Sequence, residues 1–344
     1  MPNATDDVNR TFRQTLVVVG VLAGVALLWI AHDVFLLVFA GLLFGVFLDG
    51  VAEFIGKWSR LGRGWSMAMT LALLFSVTFV LISFVAPGVE AKLKEFEVML
   101  PQSIAALRGQ LMQYDWGRDI VQNFPSAQSI VGESSSMIQH FTGAVSTTFT
   151  IALRVVVVIV IGIYSAAEPA RYRSGLLRLF APEHHEKIRR VLFAIHERMW
   201  WWLIGVGGSM ISLTILTLIG LAILGIPLAF TLALFTGLLT FIPNFGPIIS
   251  AVPPILIGLM ISPGKAVAVL VTYIIIQVLE AHLVTPLIQS RAIRMPPVLG
   301  LAAQLIFGLL FGFLGLILAA PIMAALLAVL QSISSERQNL AISK

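Results

Sequence analysis

The chain has 344 residues, of which 58% are hydrophobic and only 11% are charged, with a formal net charge of +5. Soluble domains carry about 25% charged residues, so this composition excludes an ordinary soluble protein and predicts an all-α polytopic membrane protein. Cysteine is absent, which excludes disulfides, cysteine nucleophiles and thiolate metal sites.

Eight apolar segments follow one another along the chain, and they predict about eight transmembrane segments. They lie near residues 16–31, 34–48, 66–86, 149–167, 201–224, 228–261, 266–288 and 298–330. The polar N-terminus predicts that the first segment is a retained helix rather than a cleaved signal. The tracts 228–261 and 298–330 exceed the roughly 20 residues of one span. Each is interrupted, by Pro243–Pro247 and by Gly312–Gly315, so we predict broken or re-entrant helices in the C-terminal half.

Basic residues in the loops predict the orientation. The loop 49–65 and the segment 168–200 are rich in Lys and Arg, so both are predicted to be cytoplasmic, as are both termini. The same distribution accounts for the net charge without a nucleic-acid partner. The predicted organisation is N-terminal transmembrane helices (1–87), an extracytoplasmic amphipathic segment (88–148), a transmembrane helix (149–167), a basic amphipathic helix (168–200), a transmembrane core (201–332) and a cytoplasmic tail (333–344).

Two amphipathic segments flank the helix 149–167. In the outer segment, apolar residues recur at helical spacing, which indicates helices that form a lid or an oligomer contact, or that gather substrate. In the basic segment, an apolar stripe over 188–199 leads into three tryptophans, Trp200–Trp202. Tryptophan favours the membrane interface, so this segment is predicted to be an interfacial anchor.

Motifs for catalysis are missing from the sequence. Neither a phosphate-binding GxxxxGK[ST] loop nor a zinc-binding HExxH pair occurs, and the six histidines show no pairing with a nucleophile. The sequence therefore predicts no enzyme, no cofactor and no metal site.

Ionisable residues inside apolar segments are costly and suggest function. Glu280 is the strongest candidate, and Gln277 lies on the same helical face, whereas His282 and Thr285 share a different face. Glu280 could titrate as a coupling group or could hydrogen-bond a broken helix and hold the bundle together. Arg154 is expected to extend to the outer interface, with a substrate anion or a glutamate partner as the alternative.

The interruption at Pro243–Pro247 places an amide inside a break. Asn244 can donate and accept hydrogen bonds, so it could bind a hydroxylated solute or cap the freed helix end. Two interrupted tracts flank the Glu280 segment, and such a pair points to a transport site. The candidate pathway residues are Pro243, Asn244, Gly246, Pro247, Gln277, Glu280, His282, Thr285, Pro286, Gly312 and Gly315.

At these residues the chain resembles the autoinducer-2 exporter (AI-2E) family, also described as PurR-regulated permease-like proteins. The motifs are FIPNFGPIISAVPPIL (Phe241–Leu256), QVLEAHLVTPLIQSRAIRMPPVLGL (Gln277–Leu301) and FGFLGLILAAPIMAAL (Phe311–Leu326). Two places depart from the family pattern, Ala281-His282 where Asn usually follows Glu, and Gly205-Val206 where Gly-Gln is usual. The residues on the pattern are Pro243, Asn244, Gly246, Pro247, Glu280, Pro286, Gly315 and Pro321.

The resemblance implies an eight-helix secondary transporter of the bacterial cytoplasmic membrane. It implies export of a small polar solute or signal such as autoinducer-2, or Na⁺(Li⁺)/H⁺ antiport, with coupling to H⁺ or Na⁺ left open. An oligomeric channel and a non-transporting membrane scaffold are the alternatives from the residues alone. The expected partners are the solute, the coupling ion, membrane lipid and further copies of the chain.

Overall fold

The computed structural model describes residues 31–83, 109, 112, 145–284, 286 and 297–342, and within these ranges every regular element is helical. The predicted all-α fold is thereby confirmed. The predicted first segment, 16–31, and nearly all of the outer segment, 88–148, lie outside the described residues. The helices are α1 (His32–Ser59), α2 (Arg63–Ser83), α3 (Val145–Ala167), α4 (Pro169–Leu177), α5 (His185–Ile223), α6 (Ala229–Leu239), α7 (Phe245–Ile261), α8 (Pro263–Leu279) and α9 (Pro297–Ile342).

Two short irregular helices complete the described chain. A 3₁₀ turn, Pro182–His184, precedes α5, and a π-helical turn, Glu280–Val284, continues α8. Six helical stretches of the described chain are long and apolar enough to cross a membrane, and α6 and α7 are shorter apolar helices. The six are His32–Ser59, Arg63–Ser83, Thr150–Ala167, Pro182–Ile223, Pro263–Leu283 and Val298–Ser332.

The outer surface of the bundle is apolar. Large apolar side chains such as Phe79 on α2, Ile223 on α5 and Leu309 on α9 are exposed. Exposure of such side chains to water would be energetically unfavourable. A continuous apolar exterior of this kind is typical of contact with lipid. Inside, one cluster joins α5, α6 and α8, and another joins α1, α5 and α9.

Helix α5 is continuous where the sequence suggested two elements. Its 39 residues would extend over about 58 Å, roughly twice the hydrocarbon thickness, so one helix carries both the basic segment and the following span. Two of the three predicted anchor tryptophans are half-buried and contact other parts of the chain. Trp200 lies against Gly50, and Trp202 contacts Phe241 edge to face with ring centroids 5.6 Å apart.

Contacts between helix ends define two faces of the bundle. On the first face, Arg63 at the start of α2 bonds Asp49 of α1 (2.5 Å), and Arg198, in the first half of α5, bonds Gln331 of α9. We call this the basic face. On the opposite face, the Lys265 ammonium of α8 donates to the carbonyl oxygen of Leu224, which follows α5.

Both predicted interruptions are hairpins. Helices α6 and α7 are joined by the turn 240–244, and they enter from the opposite face because α6 follows the end of α5. Within α9, Gly312 has φ 63° and ψ −149°. A Cβ on Gly308 would lie 3.5 Å from the Leu316 side chain. In a continuous helix residues eight apart are separated by about 12 Å, so α9 folds back at Gly312 into two antiparallel arms.

Candidate functional site

The α6–α7 hairpin ends in a tight tip. Asn244 has φ 68° and ψ −48°, and it ends the turn that precedes α7. The Phe245 N–H donates to the Pro243 carbonyl oxygen (2.8 Å), and the Gly246 N–H donates to Ile242 (2.9 Å). A Cβ on Gly246 would overlap the Leu239 carbonyl oxygen. Only glycine lets the two arms approach this closely, so Gly246 closes the tip.

A buried amide fastens this tip to the second hairpin. Gln304, on the first arm of α9, is 1% exposed. Its Oε1 accepts a hydrogen bond from Asn244 Nδ2 (3.0 Å), and its Nε2 donates to the Pro243 carbonyl oxygen (2.7 Å). Both ends of one amide are thus satisfied by the same turn. We call this arrangement the amide clamp.

A carboxylate lies at the end of α8. Glu280 begins the π-helical turn, and its Oε1 accepts a hydrogen bond from Ser209 Oγ of α5 (3.0 Å). Ser209 is buried and Glu280 is half-buried. Single π-helical turns occur often at functional sites because they displace a side chain from the regular helical register.

Gln277 lies one turn before Glu280 on the same helix. Its Nε2 is buried, and within the part of the chain that the structure describes it has no hydrogen-bond partner. A buried donor without an acceptor costs about 1–3 kcal/mol. The amide therefore provides a hydrogen-bond donor that the described side chains leave available close to the carboxylate.

The carboxylate and the last turns of α6 lie at a similar level of α5. Gly237, near the end of α6, packs so closely on α5 that an added Cβ would lie 2.8 Å from the Met210 carbonyl oxygen. Met210 directly follows Ser209, the partner of Glu280. Ser209 is 4% exposed, so its contact with Glu280 lies inside the bundle.

The remaining predicted residues have other positions. His282 is exposed, and its Nδ1–H donates to the Val278 carbonyl oxygen of its own helix (3.0 Å). Pro247 lies in the first turn of α7, where its carbonyl oxygen accepts from Ser250 Oγ (2.9 Å). Pro286 is exposed, and Thr285 lies outside the described residues.

The two glycines of the second interruption have distinct roles. Gly312 forms the turn between the arms of α9. A Cβ on Gly315 would overlap the Phe307 carbonyl oxygen, so Gly315 lets the arms pack, as Gly246 does in the first hairpin.

Arg154 on α3 has an acidic partner within the protein. Its Nη2 donates to Asp33 Oδ2 in the first turn of α1 (2.8 Å).

Two residues of the site were missed at the level of sequence. Ser209 and Gln304 carry no charge, so a search for ionisable residues in apolar segments does not find them. A signal for Gln304 does exist, since it is the one polar side chain between residues 297 and 330. An isolated amide in a membrane helix needs an internal partner, which identifies it as a contact between elements.

The arrangement is that of a membrane transporter. Spanning helices surround two interrupted segments that a buried amide joins, and a carboxylate lies at the end of a neighbouring helix. Among the residues that the structure describes, no group of three or more His, Asp or Glu side chains could hold a metal ion.

Comparison with protein-family models confirms this class. The model described as AI-2E family transporter matches residues 18–335, and the chain therefore belongs to the AI-2E transporter family. The resemblance carried by the three motifs is confirmed, and the protein is a multi-pass membrane protein of a transport family rather than of an enzyme family.

Relatives in several bacteria agree. The chain is 25% identical to YueF of Bacillus subtilis over 320 residues, which are 86% of this chain and 82% of that protein. It is 39% identical to YrrI of the same organism over 104 residues, only 30% of each chain. Both relatives carry provisional names as transport proteins. It is also 29% identical over 103 residues, 30% of each chain, to TqsA of Escherichia coli, named as an AI-2 transport protein.

Proposed function

We propose that the protein is a secondary carrier that moves a small polar solute past the tip of the α6–α7 hairpin, with Glu280 as the group that couples flux to H⁺ or Na⁺. The observation that carries this proposal is the position of Glu280. It is a carboxylate bonded to Ser209 inside the bundle, at the level where an interrupted helix ends.

The surroundings of the tip support a polar pathway. Irregular backbone at membrane depth is tolerated where it is buried in protein or lines a water-filled cavity. Asn244 is exposed although its amide bonds Gln304, so the tip presents polar atoms outward from the clamp. A small solute with hydroxyl or carbonyl groups could exchange hydrogen bonds with this amide.

Protonation of Glu280 would change the hydrogen bonds that it can form with Ser209. An ionised carboxylate only accepts hydrogen bonds, and it accepts from Ser209 Oγ; a protonated one also donates. The serine hydroxyl can then rotate and accept. The contact between α5 and α8 would therefore differ between the two states of Glu280, which is the requirement for coupling an ion to a conformational change.

The proposal for the transported solute rests on the name of a relative. TqsA is named as an AI-2 transport protein, so we propose a small polar signal of that kind as the solute, with Na⁺(Li⁺)/H⁺ exchange as the second candidate. We place the protein in the bacterial cytoplasmic membrane with its basic face toward the cytoplasm. The described residues present no catalytic constellation, so we propose no enzymatic activity.

The test is solute-driven proton movement in proteoliposomes that hold a pH gradient and a pH-sensitive dye. Na⁺, Li⁺ and autoinducer-2 are added in turn. One of them is expected to collapse the gradient in the parent protein and in Glu197→Gln, which alters an exposed glutamate of α5, but not in Glu280→Gln.

Three outcomes would contradict the proposal. Equal coupled flux in Glu280→Gln and Glu197→Gln would remove Glu280 from the coupling role. Flux that is electrogenic and does not saturate would indicate a channel, and the absence of flux for every solute would indicate a scaffold.

A further inference from the structure

A cavity lies away from the proposed transport site. Its volume is about 320 Å³, and α1, α3, α4 and α5 enclose it next to the basic face. This volume is at the lower end for small-molecule sites, which are about 300–1,000 Å³. The helices of the two hairpins do not line it.

The walls of the cavity are apolar over most of their length. Phe39, Leu42 and Val46 follow one another along α1, and Leu192, Ile195 and Met199 face them from α5. Leu42 is 45% exposed and Tyr172 of α4 is 51% exposed, so the cavity opens at the side of the bundle. A lateral opening between membrane helices admits a molecule from the lipid phase.

The end of the cavity at the basic face is charged. Asp49 lies there, about 15 Å along α1 from Phe39, and its carboxylate is already bonded to Arg63 (2.5 Å). His196 Nε2 lies 3.8 Å from the other Asp49 oxygen. The aspartate charge is therefore compensated within the protein.

Arg173 supplies the remaining positive charge at this end. Its Nε donates to the Pro169 carbonyl oxygen (3.2 Å), and no carboxylate among the described residues pairs with it. The surrounding segment 168–200 holds seven Arg or Lys and four Glu, a net charge of +3. The rim thus complements an anion.

From these features we infer that the cavity binds an anionic phospholipid, with an acyl chain between α1 and α5 and the headgroup phosphate against Arg173. Basic pockets between membrane helices on the cytoplasmic side suit anionic headgroups. An apolar wall ending in a charged rim at the membrane surface matches the two parts of such a lipid. A fully polar solute would leave the wall without a partner.

The chain offers a matched pair of variants. Arg173→Gln removes the rim charge, whereas Arg171→Gln removes a charge two residues away that already pairs with Glu168 (2.9 Å) and does not line the cavity. Both side chains are exposed and lie on the same short helix, so neither change should prevent folding. Leu42→Trp fills the cavity without altering charge.

The experiment measures lipid binding to the purified full chain in detergent by native mass spectrometry, with phosphatidylglycerol and phosphatidylcholine of identical acyl chains. We expect preferential binding of phosphatidylglycerol, weakened about fivefold in Arg173→Gln and unchanged in Arg171→Gln. Leu42→Trp should weaken the binding of both lipids.

Several results would overturn the inference. Equal affinity for the two lipids, or equal weakening in Arg171→Gln and Arg173→Gln, would show that the site does not recognise the headgroup. Competition by inorganic phosphate alone at the lipid's own concentration would show a simple anion site. Transport activity is not used as a readout, so these results are independent of the test of Glu280.

Discussion

The amide clamp is expected to hold the tip of the α6–α7 hairpin in its packed position. Gln304→Leu keeps the approximate volume of the side chain but removes its bonds to Asn244 and Pro243. Each buried hydrogen bond contributes about 1 kcal/mol, so the tip should lose about 2 kcal/mol of anchoring, which is about thirtyfold in an equilibrium constant. The loss is limited because the Pro243 carbonyl oxygen keeps its bond from Phe245 N–H.

Because the chain has no native cysteine, the loss of anchoring at the tip can be measured with one introduced cysteine. A single cysteine at Ile242, which is 3% exposed at the tip, can be reacted with a water-soluble methanethiosulfonate. Its modification rate reports how often the tip leaves its packed position. With Gln304→Leu the rate should rise about thirtyfold over the single-cysteine parent.

The matched control is Gln277→Leu, the same substitution at a buried amide whose Nε2 has no described partner. Removing an unsatisfied donor should leave the labelling rate near that of the parent, because no hydrogen bond is lost. The reasoning would be refuted if Gln304→Leu left the rate unchanged, or if Gln277→Leu raised it equally.

Two further predictions concern packing and charge. Gly246→Ala should lower the free energy of unfolding by about 3 kcal/mol in a thermal melt in detergent, because the added methyl group meets backbone. Gly207→Ala, where an added Cβ meets open space, should be neutral or stabilising; equal losses would contradict the close approach. Asp33→Asn and Arg154→Gln should show a coupling energy of about 1 kcal/mol or less in a double-mutant cycle, because both side chains are more than a third exposed. A coupling well above 1 kcal/mol would indicate that the pair is shielded from water.

Much of the fold could be predicted because membrane helices are specified by local properties. Apolar length identified each described span, and proline and glycine identified both hairpins. The continuity of α5 could not be predicted, because Gly205, Gly207 and Gly208 lower helix propensity between the basic segment and the span. Gly205 is buried in the bundle, and tertiary context can override such a local preference.

The partners within the site could not be predicted for a different reason. Glu280 was identified because a charge inside an apolar segment is conspicuous on its own. Its bond to Ser209 joins residues 71 positions apart, and the bond of Asn244 to Gln304 joins residues 60 apart. Such pairs depend on how the hairpins fold back into the bundle, and a single sequence holds no record of that geometry.

The amide clamp also bears on how tightly a solute could be held. Asn244 Nδ2 donates to Gln304, so a solute that accepts the same hydrogen must compete with a bond the protein already makes. Binding then exchanges one hydrogen bond for another, and the net gain is small. Weak retention suits a carrier, because a solute that is held loosely is released quickly and the site is free for the next turnover.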